Sequence, residues 1–385
     1  MKTEHDHRQH WLVDEFTRRV GAPPTLWSRA PGRVDLMGSH TDYNHGYVLT
    51  MTIDRDTWLA ARPRPDRIVT IRSLDAAGEG EIHLDDIRLN PTHRWIDYVA
   101  GVAHVLQGAG YTLTGFDGLL HSTVPMSSGL SSSAALEMAT AIMFELVSGF
   151  TLDPVQRALL GQRAENTFVG VNCGILDQFT SSMGRAGCAL LLDCRTLKSH
   201  PVPIAPGIQV VICDTQTKRE LAGSEYGQRR AQCEEGARLL GITALRDINT
   251  GQFLARQHEL PPEIAKCCRF IVEENQRVLM LADALTAGDR PRIASLTAAS
   301  FAGARDLYEI TIPEMEQMMR AMLSGPCVIG ARQAGAGFGG CMVAFVEEEA
   351  VESFAAHITH AYATSTGIRP KVYAVQAAPG AGIVS

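Results

Sequence analysis

The run PMSSGLSSSAA, starting at Pro125, constrains this chain more than any other stretch. Three consecutive serines, Ser131 to Ser133, open onto the apolar-periodic residues Ala134, Leu136, Met138, Ala139, Ile142 and Met143. FDGLLHSTVP, just before it, reads as a strand, so the order is strand, small-residue loop, helix. A helix begins with unpaired backbone N–H groups and the positive end of its dipole, which together hold anions. Gly and Ser let an anion reach those amides, where large side chains would hold it away. The fold must therefore place a phosphate-sized anion site at the mouth of this helix.

The rest of the chain is built like a folded protein of two domains. Its 385 residues are 45% hydrophobic and 20% charged, which suits two cores better than one. The division expected is 1–200 and 201–385, at the Pro-rich SHPVPIAPG. A net charge of −7 disfavours a nucleic-acid surface but leaves room for one nucleotide neutralised locally. No apolar stretch reaches the roughly 18 residues of a membrane span, and MKTEHDHRQHWL has no signal-peptide core. The nine cysteines all fall at Cys173 or later, with no CxxC pair, which indicates neither a zinc site nor a disulfide framework. A cytoplasmic protein, monomeric or weakly dimeric, is expected.

Periodicity gives the elements in outline. Helices are expected over about His7–Val20, Trp95–Gln107 and Pro154–Val169, and through most of Ser224–Met322. YVLTMTI and TWLAARP read as two strands, followed by IVTIRSL. GAGFGG (Gly335–Gly340) resembles a dinucleotide fingerprint only superficially, because the strand-like CMVAFV follows it instead of a helix.

Several polar residues could carry chemistry beside the anion site. Asp177, in the turn-rich GVNCGILDQF after a helix, is a candidate base, though a single aspartate reads equally as a cap. Glu165 near that helix's end offers the hard oxygen that Mg²⁺ prefers, or simply a solvated face. Arg33 in PGRVDLMG could clamp a carboxylate or phosphate, and alone reads as a surface ion pair. SHTDYN, Ser39–Asn44, could hydrogen-bond a polyol and is also ordinary loop composition.

In their order along the chain these segments resemble the GHMP small-molecule kinases, and within them the galactokinases. APGRVDLMGSHTDYNHG is similar to the galactokinase signature, PMSSGLSSSAALE to the ATP loop, and GARQAGAGFGGC to the C-terminal glycine motif. AENTFVGVNCGILDQF and GSEYGQRRAQCEE also match, and SLTAASFAGARDLYEITIPEME does so more loosely. The resemblance implies an α+β fold of two domains: an N-terminal mixed-sheet α/β domain like ribosomal S5 domain 2, and a ferredoxin-like C-terminal domain. The active site would lie between them. It implies ATP as co-substrate, Mg²⁺, and transfer of phosphate to the anomeric hydroxyl of galactose. By position, Asp177 is the catalytic aspartate, expected to stay ionised beside Arg33. Ser133 and Glu165 are the magnesium ligands, and Ser127, Ser128, Gly129, Leu130, Ser131, Ser132 and Ser133 form the ATP loop. Ser73 is a further nucleotide contact. Asp35, Ser39, His40, Thr41, Asp42 and Tyr226 form the sugar side.

The departures gather on that sugar side. Galactokinases usually carry Asn and Ile where this chain has Asp35 and Met37, and a Glu, accepting from the sugar's 6-hydroxyl, where it has Ser39. Asn172 replaces a usual Pro and Ala334 a usual Thr. A kinase for a galacto-configured sugar lacking that hydroxyl, such as L-arabinose, is the alternative. A non-catalytic sugar sensor is a further one, opposed by the intact Ser131–Ser133, Glu165 and Asp177.

Overall fold

The structure, a computed structural model, describes residues 4–126, 128–217 and 222–384. Strands β1 (Leu26–Met37), β2 (Tyr47–Pro63), β3 (Ile68–Ser73), β4 (Glu79–His83), β5 (Phe116–Ser122), β6 (Cys188–Asp193) and β7 (Lys198–Pro203) build one mixed sheet. A second, antiparallel sheet has the order β11 (Lys371–Val375), β8 (Ile208–Asp214), β10 (Cys341–Glu347), β9 (Val328–Gln333). The chain then returns to the first sheet, where β12 (Gly382–Ile383) pairs with β1.

Helices fill the space around the sheets. Against the first lie α1 (Glu4–Val20), α2 (Ile96–Gly108), α3 (Ser132–Ser148), α4 (Pro154–Ala164) and α5 (Leu176–Met183). Val99, Val102 and Leu106 of α2 and Met143 and Phe144 of α3 pack on Leu59, Val69, Ile71, Phe116 and Leu120. The later helices are α6 (Ala222–Leu239), α7 (Thr250–Arg256), α8 (Pro262–Ala287), α9 (Arg290–Asp306), α10 (Pro313–Leu323) and α11 (Val351–Thr366). Alternation along β8 divides them: Val210 and Ile212 face Val278, Leu281 and Leu285 of α8, whereas Val211 and Cys213 face the methionines of α10 and Phe354 of α11. The α8 side of that core continues into Val34, Leu36, Leu49 and Met51 of the first sheet, so apolar packing joins the two sheets.

Three expectations change. YVLTMTI and TWLAARP are one 17-residue strand, not two. The intervening Asp54-Arg55-Asp56 looks like a turn, but Asp56 is held by Arg8, Arg29 and the Trp58 indole, and Arg55 lies over the Tyr373 ring. The helix from Pro154 widens after Ala164 into a π-turn, closed by Gly170 N–H on the Glu165 carbonyl at 3.0 Å. Asp177 sits in the first turn of α5 and not in a loop. As expected, GAGFGG leads into a strand, β10.

Candidate active site

A bulge in β1 sets the site. The β1–β2 register shifts between Pro31 and Arg33, and at that point the loop before α3 comes against the strand. Gly32 permits the approach: a Cβ there would lie 2.7 Å from the Leu130 carbonyl oxygen. The Arg33 amide donates to that same carbonyl at 3.1 Å. Ser131, with φ of 59°, turns the chain into α3.

Arg33, buried on β1, then reaches both the loop and α5. Its Nη1 donates to the Gly129 carbonyl at 2.6 Å. Its Nε and Nη2 donate to Asp177 Oδ1 at 2.8 and 2.5 Å. The Ser131 hydroxyl donates to the other oxygen, Oδ2, at 2.6 Å. Asp177 is thus fixed by three charge-assisted hydrogen bonds from two elements, yet its side chain keeps 27% of its exposure at the cleft.

Behind it lies a pair of acids. Gln178 Nε2 bridges Glu165 Oε2 at 2.6 Å and Glu137 Oε2 at 2.8 Å. Glu165 is pushed above the usual carboxylate range, first by loss of water and then by the Asp177 charge, while hydrogen bonds from Cys173, Gln178 and Ser133 pull the other way. Glu137, wholly buried, is pushed well up by burial and by Glu165, and its Oε1 has no partner. This concentration of carboxylate next to Ser133 suits a hard cation. Among the described residues no group of three or more His, Cys, Asp or Glu forms a metal cage. A Mg²⁺ here would draw its remaining oxygens from phosphates and water, as that ion usually does.

Ser132 and Ser133, at the start of α3, line a separate cavity of about 220 Å³ together with Ser73, Trp95, Tyr98, Leu120 and Leu136. Its flat aromatic and aliphatic walls suit a planar heterocycle.

On the other side, a cleft of about 890 Å³ is bounded by Arg33, Asp35, Ser39, His40, Asp42, Asp177 and Tyr226. Loss of water raises the Asp42 carboxyl to about 6, with the Asp177 charge adding to the rise. Gly174 lets the segment before α5 pass this carboxylate, since a Cβ would meet Asp42 Oδ2 at 1.6 Å. Tyr226 of α6 stacks obliquely on the His40 ring, centroids 5.1 Å apart. The His40 ring is already spoken for: Nε2 lies 3.0 Å from the Ala336 carbonyl and Nδ1 2.8 Å from the Tyr43 hydroxyl. An Nε2–H donor and an Nδ1 acceptor satisfy both contacts.

Arg33, Asp35, Ser39, His40, Asp42, Glu165, Asp177 and Tyr226 therefore meet at one cleft, and Ser73, Ser132 and Ser133 at the neighbouring cavity. Ser127 lies outside the described residues. Four other expected residues have their side chains engaged within the protein. Thr41 is fully buried and its hydroxyl donates to the Gly38 and Tyr47 carbonyls, so it builds the turn and does not face the cleft. The Leu130 side chain belongs to the core. The Ser128 hydroxyl is bonded to the Pro125 carbonyl, and that of Ser131 to Asp177. Residue-by-residue reading missed Glu137 and Gln178, although Glu137 follows Ser133 by one helical turn and Gln178 adjoins Asp177. It also missed Arg230 and Cys173 on the cleft wall.

Known proteins share this fold and much of this sequence. The chain matches the galactokinase galactose-binding signature over residues 14–63, the GHMP kinase N-terminal domain over 97–185, and the GHMP kinase C-terminal domain over 281–364. It is 46% identical to a galactokinase of Chloroflexus aggregans, covering 91% of this chain and 92% of that one. To a galactokinase of Roseiflexus it is 44% identical, covering 97% and 96%. The crystal structure of Lactococcus lactis galactokinase complexed with galactose superposes with a TM-score of 0.93 at 33% identity, covering 97% of this chain and 99% of that one. An L. major mevalonate kinase at 17% identity and TM-score 0.63 shares the fold. The chain belongs to the galactokinase family of the GHMP kinases.

Proposed function

We propose that this cleft transfers the γ-phosphoryl group of ATP to the C1 hydroxyl of D-galactose, giving galactose 1-phosphate and ADP. The observation that carries the reading is Asp177, fixed by Arg33 and by Ser131 of the phosphate loop, and open to the cleft beside the α3 N-terminus. Phosphoryl transfer asks a protein mainly to align donor and acceptor and to neutralise charge. The α3 amides and the Ser132 and Ser133 hydroxyls would hold the phosphates, with the base in the aromatic cavity beside Ser73. Ser133 and Glu165 would hold Mg²⁺, which neutralises phosphate charge when bound.

Asp177 orients the C1 hydroxyl. As the sugar oxygen bonds to phosphorus and the bond to the β-phosphate oxygen breaks, the hydroxyl proton passes to the Asp177 carboxylate. Arg33 keeps that carboxylate aimed, and its charge faces the transferring group. Asp42 and Tyr226 offer an acceptor and a hydroxyl to the sugar, while His40 positions the loop carrying Asp42.

Steady-state kinetics with D-galactose, L-arabinose, D-fucose and 2-deoxygalactose test the reading, with the site of phosphorylation assigned by NMR. Galactose is expected to give the highest kcat/KM, with phosphate on O1. A higher kcat/KM for arabinose, or phosphate on another oxygen, would contradict it.

A further inference from the structure

The end of β5 is held from two sides by side chains far from it in the sequence. On one side is Arg8 of α1, whose side chain is only 13% exposed. Its Nη1 pairs with Asp56, its Nη2 donates to the His121 carbonyl at 2.9 Å, and its Nε donates to His121 Nδ1 at 2.8 Å. The guanidinium also lies over the Trp58 ring, 4.6 Å from its centroid. On the other side is Asp75, just after β3, whose Oδ2 accepts from the Ser122 amide at 2.6 Å. The Thr123 amide donates to the Asp56 carbonyl at 3.0 Å, and the residues after it run directly into the phosphate loop.

A guanidinium can only donate, so Arg8 makes His121 Nδ1 an acceptor and leaves the ring proton on Nε2. Burial, and then the Arg8 charge, keep that ring neutral. Nε2 lies 3.8 Å from Asp75 Oδ1, too far for a hydrogen bond but near enough for the N–H dipole to favour the carboxylate. Asp75 and Ser122 line the aromatic cavity together with Ser73 and Ser133, whereas Arg8 does not. The Asp56 pair and the Trp58 contact anchor α1 to β2. The two bonds to His121 go further, onto the strand that carries the cavity wall and leads to the loop.

We propose that Arg8 is a positioning residue for the nucleotide: through His121 and the end of β5 it sets Asp75 and the entry to the phosphate loop. The N-terminal helix thereby governs ATP affinity without touching ATP. Asp42 and Tyr226 belong to the other cleft, so the sugar side should not respond. The proposal rests on the reading above that places the nucleotide in this cavity.

The test measures the ATP Kd by calorimetry, and both KM values, for R8M, R8K, D75N and R8M/D75N. R8M is expected to raise the ATP Kd and KM about tenfold, the worth of roughly one hydrogen bond, with kcat and the galactose KM within about twofold of the parent. R8K keeps the charge beside Asp56 but lacks the Nε–H at His121. It should therefore hold the parent's stability in urea and still weaken ATP. The double variant should be no worse than the weaker single one, because both changes release the same strand end. Multiplied losses in the double variant, parent-like ATP Kd values in R8K and D75N, or equal rises in both KM values would overturn the proposal. Should R8M fail to fold, R8K combined with D75N carries the same comparison. A parent that binds ATP but phosphorylates no sugar removes the kinase reading and leaves the Kd values to decide this one. A parent that binds no ATP overturns both.

Discussion

At the scale of single residues, the site is a competition for the two oxygens of Asp177. Arg33 occupies Oδ1 with two bonds and Ser131 occupies Oδ2 with one. A hydrogen bond to a charged group contributes about 1.5–3 kcal/mol. Ser131→Ala should therefore lower kcat roughly ten- to a hundredfold, through a loosely held carboxylate, with little change in the KM for ATP. Stopped-flow measurement of ADP release checks this, and a rise in the KM for ATP at constant kcat would mean that Ser131 serves the nucleotide instead. The meeting of Asp177, Arg33 and Glu165 in one cleft was legible in the sequence because motif and chemistry point the same way there. Ser131 was legible as a loop residue but not as a partner of Asp177, since 46 residues separate them. Arg332 was not legible as a partner of Ser39 at all. It stands 293 positions from Ser39, and only the packing of β9 behind β1 brings the two together.

At the scale of elements, the loop-to-helix entry at α3 works because β1 bulges under it. Gly32→Ala should drive a methyl into the Leu130 carbonyl, at a cost of about 1–3 kcal/mol, the usual range for overpacking. The same change should raise the KM for ATP, because Leu130 immediately precedes the serines. Urea denaturation and ATP saturation curves together check this; loss of stability without any change in ATP KM would uncouple the bulge from the loop. The helices were readable from apolar periodicity: α1 buries Leu12 and Phe16 on one face, whereas α2 is buried on nearly all sides. The long β2 was not. Its polar centre looks like a turn, and the partners that allow a strand, Arg8, Arg29 and Tyr373, come from α1, β1 and β11. The π-turn after α4 leaves no mark in composition either, being set by how Glu165 and Gly170 meet.

At the scale of the whole molecule, His40 ties the two sheets together. Its ring joins the loop after β1 to the Ala336 carbonyl between β9 and β10. Burial lowers its pKa from 6.5 to about 4, the Ala336 carbonyl opposing and the Arg229 and Arg332 charges assisting. The folded protein thus resists a proton that the unfolded chain accepts. Stability from this group is complete above pH 6.5 and is lost as pH falls toward 4, by about 3 kcal/mol over that window. Denaturation across pH 4–7 should show a slope about one proton shallower for His40→Asn than for the parent; identical slopes would contradict the assignment. The two-domain kinase fold was legible through resemblance, whereas the shared apolar core along α8 and the return of the C-terminus to β1 were not, because no local pattern encodes either.

The most direct measurement compares the parent with Asp177→Asn, reading kcat for galactose 1-phosphate formation alongside calorimetric Kd values for galactose and nucleotide. With Asp177 as the base held by Arg33 and Ser131, kcat should fall by about 10²–10⁴-fold while both Kd values stay within a few-fold. A kcat retained within tenfold of the parent would contradict the account.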